Sequence, residues 1–253
     1  MIWPEAHLPG SHLPRGQTSV SPVNSLGYRG REPLGTSDFK ILFIGDEWTE
    51  GTDIAYEKTF PFLIAKKISS LTGKSVHEFN LGQEGKSYDY VSRILMCSLE
   101  LIKPNFVFIC FPPMGRREYF ALDGRLINYD PIIAESIICG EIETDSVEQE
   151  IIKNLNSTLT KFDALANALK NVTLIKALLE ERNIRWAFGA TSPGNENIDL
   201  LLSRSWLSED RYVGGFLGPS STYFSNTEIH DQYSTRIYSW LLEHFKTFEA
   251  EFD

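Results

Sequence analysis

The sequence lacks the features that mark a metal site or a disulfide framework. Its three cysteines, Cys97, Cys110 and Cys139, are widely spaced and form no C-x-x-C pair. An odd, dispersed set of this kind favours small buried hydrophobic residues over a zinc site. The "GKS" at 85–87 lacks the upstream glycine of a phosphate loop. We therefore expect no metal and no cofactor.

Long hydrophobic runs and excess basic charge are also missing. No apolar run approaches the length of a membrane span, and the first residues lack the basic start and apolar middle of a secretory signal. The formal net charge is -10, which on average repels a nucleic-acid backbone or an anionic membrane surface. We expect a cytoplasmic protein that binds neither nucleic acid nor membrane.

What is present is an ordinary globular composition, with 42% hydrophobic and 23% charged residues. Residues 1–38 hold five prolines and five glycines without sustained periodicity, and they read as an irregular N-terminal arm. Within it, "NSLGYRGRE" at 24–32 carries a tyrosine and two arginines that are suited to docking on the body. We assign residues 39–253 to a single α/β domain, because no long linker divides them.

Strand-like and helix-like segments alternate from Phe39 onward. The strand-like runs are "KILFIG", "SVHEFNL", "FVFICF", "IRWAFGA" and a weak one near Tyr212. The segments with helical spacing are "EKTFPFLIAKKISSLTG", "SYDYVSRILMCSLELI", "LTKFDALANALKNVTLIKALLEERN" and "DQYSTRIYSWLLEHFKTFEAEF". This order predicts a three-layer α/β/α sandwich with a mainly parallel central sheet, as in flavodoxin-like folds.

Residues 115–160 break this alternation and contain the acidic "GEIETDSVEQE". We expect them to form a functional insertion or lid outside the sheet. The ligand crevice of such a sheet lies beyond the carboxyl ends of its strands. "GDEWTEG", residues 45–51, follows the first strand and so lies at that edge.

The motifs around this turn resemble those of the SGNH (GDSL-type) hydrolase superfamily. "FIGDEWTEGTDIAYEKTFPFLIAKKI" is similar to the family's first block and following helix, with Glu47 where the family has its serine. "FNLGQEG" resembles the second block, which makes Gly85 the expected oxyanion glycine. "TEIHDQYSTRIYSWLL" resembles the last block, where His230 fits the catalytic histidine and Thr227 takes the place of its aspartate. The resemblance implies an SGNH fold of esterase or carbohydrate O-deacetylase ancestry.

The third block departs furthest from the family, because "FPPMGRREYF" follows the strand in place of Gly-x-Asn-Asp. The family's asparagine donor is lost, and Arg116 or Arg117 is the candidate cation in its place. With Glu118, these arginines are candidates for binding a carboxylate, phosphate or sugar at the crevice. The alternative is that an Arg–Glu pair with Glu118 pins the insertion to the body. Trp48, with other aromatics near strand ends, is a candidate ligand platform or a core residue.

Glu47 decides the expected chemistry, since a carboxylate cannot form the serine ester of these hydrolases and opposes charge in an oxyanion hole. It is either a base that activates water or a lost nucleophile that caps a helix or pairs with His230. We favour the second; a third interpretation is a glutamate introduced at a natural serine. Asp46 is expected to shape the turn, and Glu228 or Asp231 to orient His230 in place of Thr227.

Three functional hypotheses follow. The first is a hydrolase-like protein with Glu47 in place of the nucleophile, little or no serine-esterase activity and a crevice for a small-molecule or glycan ligand. The second is an active hydrolase in which Glu47 and His230 act as an acid–base pair. The third is an assembly component that forms oligomers through its N-terminal arm.

Overall fold

A computed structural model describes residues 23–32, 36–191, 196–215 and 226–244. At its centre lies a five-stranded, fully parallel sheet in the order β2-β1-β3-β6-β7. Gly45 pairs with Gly82, and Ile44 pairs with Ile109, so the first three strands end at one edge of the sheet. The strands are β1 (Phe39–Gly45), β2 (Val76–Gly82), β3 (Phe106–Phe111), β6 (Arg185–Ala190) and β7 (Tyr212–Gly215).

Helices cover both faces of this sheet. Successive residues of β1 point to opposite faces, so Ile41 and Phe43 pack under α2 and α8, while Leu42 and Ile44 pack under α3 and α6. Burial on both faces explains why the central strands read as continuous hydrophobic runs. The helices of these layers are α2 (Phe60–Thr72), α3 (Tyr88–Ile102), α6 (Lys161–Glu181) and α8 (Thr227–His244), and α7 (Glu196–Ser203) precedes β7.

The predicted three-layer architecture is confirmed, as are its five strands and four main helices. The excursion at 115–160 lies outside the central sheet and has regular structure of its own. An antiparallel hairpin and two helices enclose a small separate core built on Ile127, Tyr129, Ala134, Ile137 and Ile152. These elements are β4 (Arg117–Phe120), β5 (Leu126–Tyr129), α4 (Pro131–Ile138) and α5 (Ser146–Thr158).

The described part of the N-terminal arm, residues 23–32, docks on the body as expected. The Tyr28 side chain is buried, and the guanidinium of Arg29 donates to the carbonyls of Gly51 and Ile54. Arg31 pairs with Glu78 of the edge strand β2 and donates to the carbonyl of Val76 at 2.8 Å. Residues 1–22 and 33–35 of the predicted arm lie outside the described residues.

The cysteine prediction holds only in part. Cys110 is buried on β3 and Cys97 is half-buried, but Cys139 is exposed. Cys139 ends α4 in the insertion, where the local core is too small to cover it. Within the described ranges, no helix combines the length and the apolar character needed to cross a membrane.

Candidate active site

The turn after β1 places Glu47 at the carboxyl edge of the sheet. Asp46 is the N-cap of the four-residue helix α1 (Glu47–Glu50), and its Oδ1 accepts the Trp48 N–H at 3.3 Å. A Cβ at Gly45 would lie 2.1 Å from Thr49 Oγ1 and 2.8 Å from the Cys110 carbonyl oxygen. Only glycine fits this close approach, so Gly45 fixes the direction in which α1 leaves the sheet.

The turn after β2 packs directly against α1. Asn80 Nδ2 donates to the Thr49 carbonyl at 2.8 Å, and the Gln83 N–H donates to the Gly45 carbonyl at 3.2 Å. Gly85 follows in the left-handed region, with a φ of 70° that favours glycine. Its N–H donates to Glu47 Oε2 at 3.2 Å. The N–H of the predicted oxyanion glycine therefore binds the Glu47 carboxylate.

Arg116 lies in the segment after β3 and binds the Glu47 carboxylate from the side opposite Gly85. Its Nη1 donates to Glu47 Oε2 and its Nη2 to Glu47 Oε1, both at 2.9 Å. Behind this fork, Nε donates to Asp130 Oδ2 at 2.7 Å and Nη1 to Asp46 Oδ2 at 3.2 Å. Arg116 is only 8% exposed. Three carboxylates thus surround one buried guanidinium.

Burial sets the electrostatics of this cluster. Burial raises the pKa of Asp46 well above its ordinary value, the Glu47 charge raises it further, and Arg116 opposes both. Burial alone would lower the pKa of Arg116, but its hydrogen bonds to Glu47 and the surrounding carboxylates raise it overall. Asp46 consequently holds its proton to a higher pH than an ordinary aspartic acid, which reduces the negative charge around Arg116.

His230 lies in the first turn of α8, fully buried, with its ring stacked on Phe60 at a centroid distance of 5.9 Å. Its Nδ1 accepts the backbone N–H of Phe60 at 3.2 Å. A ring nitrogen that accepts a hydrogen bond carries no proton, so the proton of the neutral ring belongs on Nε2. A hydrolase triad needs the opposite tautomer, because Nε2 must accept the proton of the serine.

The expected Glu47–His230 ion pair is wrong, since Glu47 pairs with Arg116 instead. The suggested support of His230 by Glu228 or Asp231 is not seen between these described residues either. Asp231 lies 3.4 Å from Lys67 Nζ, and Glu228 accepts from Gln232 at 3.3 Å.

The two arginines of "GRRE" have separate roles. Arg116 binds Glu47, whereas Arg117 Nε lies 3.3 Å from Asp89 Oδ2 and its guanidinium lies over the Tyr119 ring. Arg93 of α3 donates to both carboxylate oxygens of Glu118, at 3.0 and 2.8 Å. The interpretation of a contact that pins the insertion to the body holds for Arg117 and Glu118, which bind α3 through Asp89 and Arg93. The role of Arg116 toward a ligand stays a prediction.

The aromatic side chains near the strand ends lie mostly in the core. Trp48 is 8% exposed and belongs to the core cluster under α2 and α8. Tyr88 and Phe111 are fully buried and stack on each other at 5.0 Å. The fold thus brings Asp46, Glu47, Gly85 and Arg116 together, but it gives Trp48 a packing position and Arg117 a position on the hairpin.

Asp130 was missed by the sequence reasoning, although a signal was present. It precedes Pro131 and an apolar run, which is a typical helix start, and its Oδ1 caps α4 by accepting the Ile132 N–H at 2.9 Å. Its other oxygen holds Arg116, so the insertion contributes directly to the site. Across the described part of the chain, no group of three or more His, Cys, Asp or Glu residues is arranged to hold a metal ion.

No family model and no curated protein sequence matches the chain. Among solved structures, a psychrotrophic esterase from Pseudoalteromonas sp. has a TM-score of 0.50 and 14% identity, covering 82% of this chain and 98% of that one. A protein of the lipolytic G-D-S-L family from Desulfitobacterium hafniense has a TM-score of 0.49 and 12% identity, covering 80% and 99%. Identities this low show the fold alone. The chain has the fold of the SGNH (GDSL-type) hydrolase superfamily.

Proposed function

We propose that the chain is a hydrolase-like SGNH protein without serine-esterase activity, which binds a small-molecule or glycan ligand in the crevice where its relatives hydrolyse esters. One observation carries this proposal. The Glu47 carboxylate, which the motif resemblance assigns to the nucleophile position, occupies the Gly85 N–H and the Arg116 fork. Donors already bound to a carboxylate are not available to a developing oxyanion.

Each part of the serine mechanism is altered. The nucleophile is a carboxylate, and a neutral His230 with its proton on Nε2 is not prepared to accept another there. Pro112 and Pro113, at the third block, offer no backbone N–H. The remaining fold supports recognition rather than acyl transfer, and we place this binding role in the cytoplasm.

The other two hypotheses have less support. An acid–base pair of Glu47 and His230 needs both groups to face a common substrate atom, yet Glu47 is bound by Arg116 and His230 Nδ1 by Phe60. An assembly role for the arm needs it to reach a neighbouring chain. Residues 23–32 are instead held on their own body by Arg29 and Arg31.

Ester hydrolysis tests the proposal. The chain and the variants Glu47→Gln and Glu47→Ser/Thr227→Asp are assayed with p-nitrophenyl acetate and acetylated xylo-oligosaccharides. We expect the chain and Glu47→Gln to stay at background, and hydrolysis to rise only in the double variant that introduces serine and aspartate. Glu57→Gln, the same change at a nearby exposed carboxylate, is the matched control. Turnover by the chain that Glu47→Gln loses and Glu57→Gln keeps would refute the proposal.

A further inference from the structure

Both carboxylate oxygens of Glu47 accept hydrogen bonds. A side chain left over from a lost catalytic role would not need such a complete set of partners. We propose, building on the function above, that Arg116 and the Gly85 N–H form a carboxylate receptor that Glu47 fills from its own chain. The ligand of the crevice then carries a carboxylate group, and this group competes with Glu47 for the receptor.

The geometry around Glu47 is that of a complete carboxylate site. Both carboxylate oxygens accept from the two Nη atoms of Arg116 at 2.9 Å, and Oε2 also accepts the Gly85 N–H at 3.2 Å. A planar guanidinium fork matches the two oxygens of a carboxylate, which makes this arrangement selective as well as strong. An ester carbonyl offers a single oxygen and leaves one arm of the fork unused.

The receptor is held in place by residues other than Glu47. Asp130 and Asp46 bind Arg116 from behind, at 2.7 and 3.2 Å, and both are almost fully buried. The turn that presents Gly85 is fixed through Gln83, whose N–H donates to the Gly45 carbonyl. Removal of the Glu47 side chain therefore leaves the three donors in position, with an empty space of carboxylate shape between them.

The hydrogen bonds of α1 do not involve the Glu47 carboxylate. Glu47 is the first residue of α1, its side chain is 14% exposed, and the Asp46 side chain supplies the N-cap of the helix. The backbone carbonyl of Glu47 accepts the Gly51 N–H, so α1 keeps its hydrogen bonds when the carboxylate moves. An external carboxylate competes with an intramolecular one that is always nearby, which weakens its apparent affinity.

The negative charges around Arg116 and Gly85 limit which anions the receptor can bind. Asp46 and Asp130 lie on the other side of Arg116, and Glu84 is the neighbour of Gly85. A monocarboxylate restores the charge that Glu47 supplied, whereas a phosphate dianion brings one more negative charge among these carboxylates. We therefore expect the receptor to prefer a carboxylate to phosphate.

Acetate binding to Glu47→Ala tests the receptor. Thermal unfolding and calorimetric titration are followed with sodium acetate, sodium phosphate and sodium chloride at equal ionic strength. We expect a saturable, acetate-specific rise in the Tm of Glu47→Ala, and an apparent acetate affinity at least about tenfold weaker for the unmodified chain. Glu57→Ala, which removes an exposed carboxylate, should behave as the unmodified chain does.

The double variant Glu47→Ala/Arg116→Lys separates the fork from simple positive charge. Lysine keeps the charge but cannot bind both oxygens, so the acetate response should fall at least about tenfold. Acetate binding that survives this change, or a response equal to that of chloride, would reduce the site to an adventitious ion only and overturn the inference. If the unmodified chain hydrolyses no ester and Glu47→Ala binds no acetate, the receptor is refuted and the proposed function is not. Hydrolysis by the unmodified chain refutes the proposed function.

Glucuronate and glucose extend the test to the unmodified chain. They share a sugar ring, but only glucuronate carries a carboxylate. We expect glucuronate to bind and its binding to fall in Arg116→Lys, with glucose binding more weakly in both. Equal binding of the two sugars, unaffected by Arg116→Lys, would contradict a carboxylate-bearing ligand.

Discussion

Two of the Arg–Glu pairs in the described part of the chain, one at the turn after β1 and one between the arm and β2, are built in opposite ways. In the pair at the turn after β1, the Arg116 side chain is 9% exposed and that of Glu47 is 14% exposed. In the pair that docks the arm, Glu78 is fully buried and Arg31 is 48% exposed. The more deeply buried member is the arginine in the first pair and the glutamate in the second. These two buried residues also differ in the number of other side chains that bind them.

Arg116 keeps two other carboxylates when Glu47 is removed, namely Asp46 and Asp130. Glu78 has less support, since within the described chain its other side-chain partner is the hydroxyl of Tyr56. Burial and the adjacent Glu78 charge also raise the pKa of Tyr56, so this hydroxyl stays neutral. The comparison indicates that Glu47 is an exchangeable ligand, whereas Arg31 is a structural anchor at the edge of the sheet.

The largest effect is expected from Arg116→Met. This change leaves Asp46, Glu47 and Asp130 together without their cation, and breaking a buried ion pair from one side costs about 3–5 kcal/mol. Urea unfolding followed by circular dichroism measures the loss. Arg182→Met is the matched control, because its partners Glu100 and Glu181 are 60% and 76% exposed and such pairs contribute about 0–1 kcal/mol. Equal losses in the two variants would show that Arg116 is not the centre of a buried network.

A smaller loss is expected from Arg31→Met, which leaves Glu78 charged and buried in β2. Half of the Arg31 side chain is in water, so we expect about 1–3 kcal/mol, the range for a buried polar group that loses its partner. Glu47→Gln should cost less, because its amide oxygen still accepts a hydrogen bond and Arg116 keeps its other carboxylates. Unfolding in urea ranks the two variants. A larger loss of stability for Glu47→Gln than for Arg31→Met would contradict the view that the site tolerates loss of Glu47 better than β2 tolerates loss of Arg31.

The ranking depends on contacts that the sequence does not show. The strands were predictable because residues such as 106–111 are apolar throughout and are buried on both faces. The turn at Gly45 and the left-handed Gly85 were predictable from the family motif. The partner of Glu47 was not, because Arg116 lies 69 residues away and reaches it through the segment after β3. The sequence pattern predicts the element or turn on which a side chain lies, but not the distant charged residue with which it pairs.

The insertion was predicted only as an excursion, although part of its structure had a local signal. "FALDGRL" places Asp123 and Gly124 between two short runs with alternating apolar residues, which is typical of a hairpin turn. Gly124 has a φ of 83° and its N–H donates to the Ala121 carbonyl. The role of Asp130 depends on how this hairpin and α4 pack on the sheet, and that tertiary arrangement has no counterpart in local spacing.

The smallest effect at neutral pH is expected from His77→Phe, on the strand that carries Glu78. Burial, together with the charges of Arg31 and Lys40, lowers the pKa of His77 to about 4. A histidine kept neutral in the folded state contributes stability above its unfolded pKa of about 6.5, and this stability is lost as the pH falls toward 4. Phenylalanine does not titrate and retains the stacking that His77 makes on Phe79, at a centroid distance of 4.3 Å.

Urea unfolding between pH 7 and 4 should therefore show a smaller loss of stability on acidification in His77→Phe than in the unmodified chain. Arg31→Met should reduce this loss in part, because it removes one of the two charges that act on the ring, whereas Glu47→Gln at the other pair should leave the contribution of His77 unchanged.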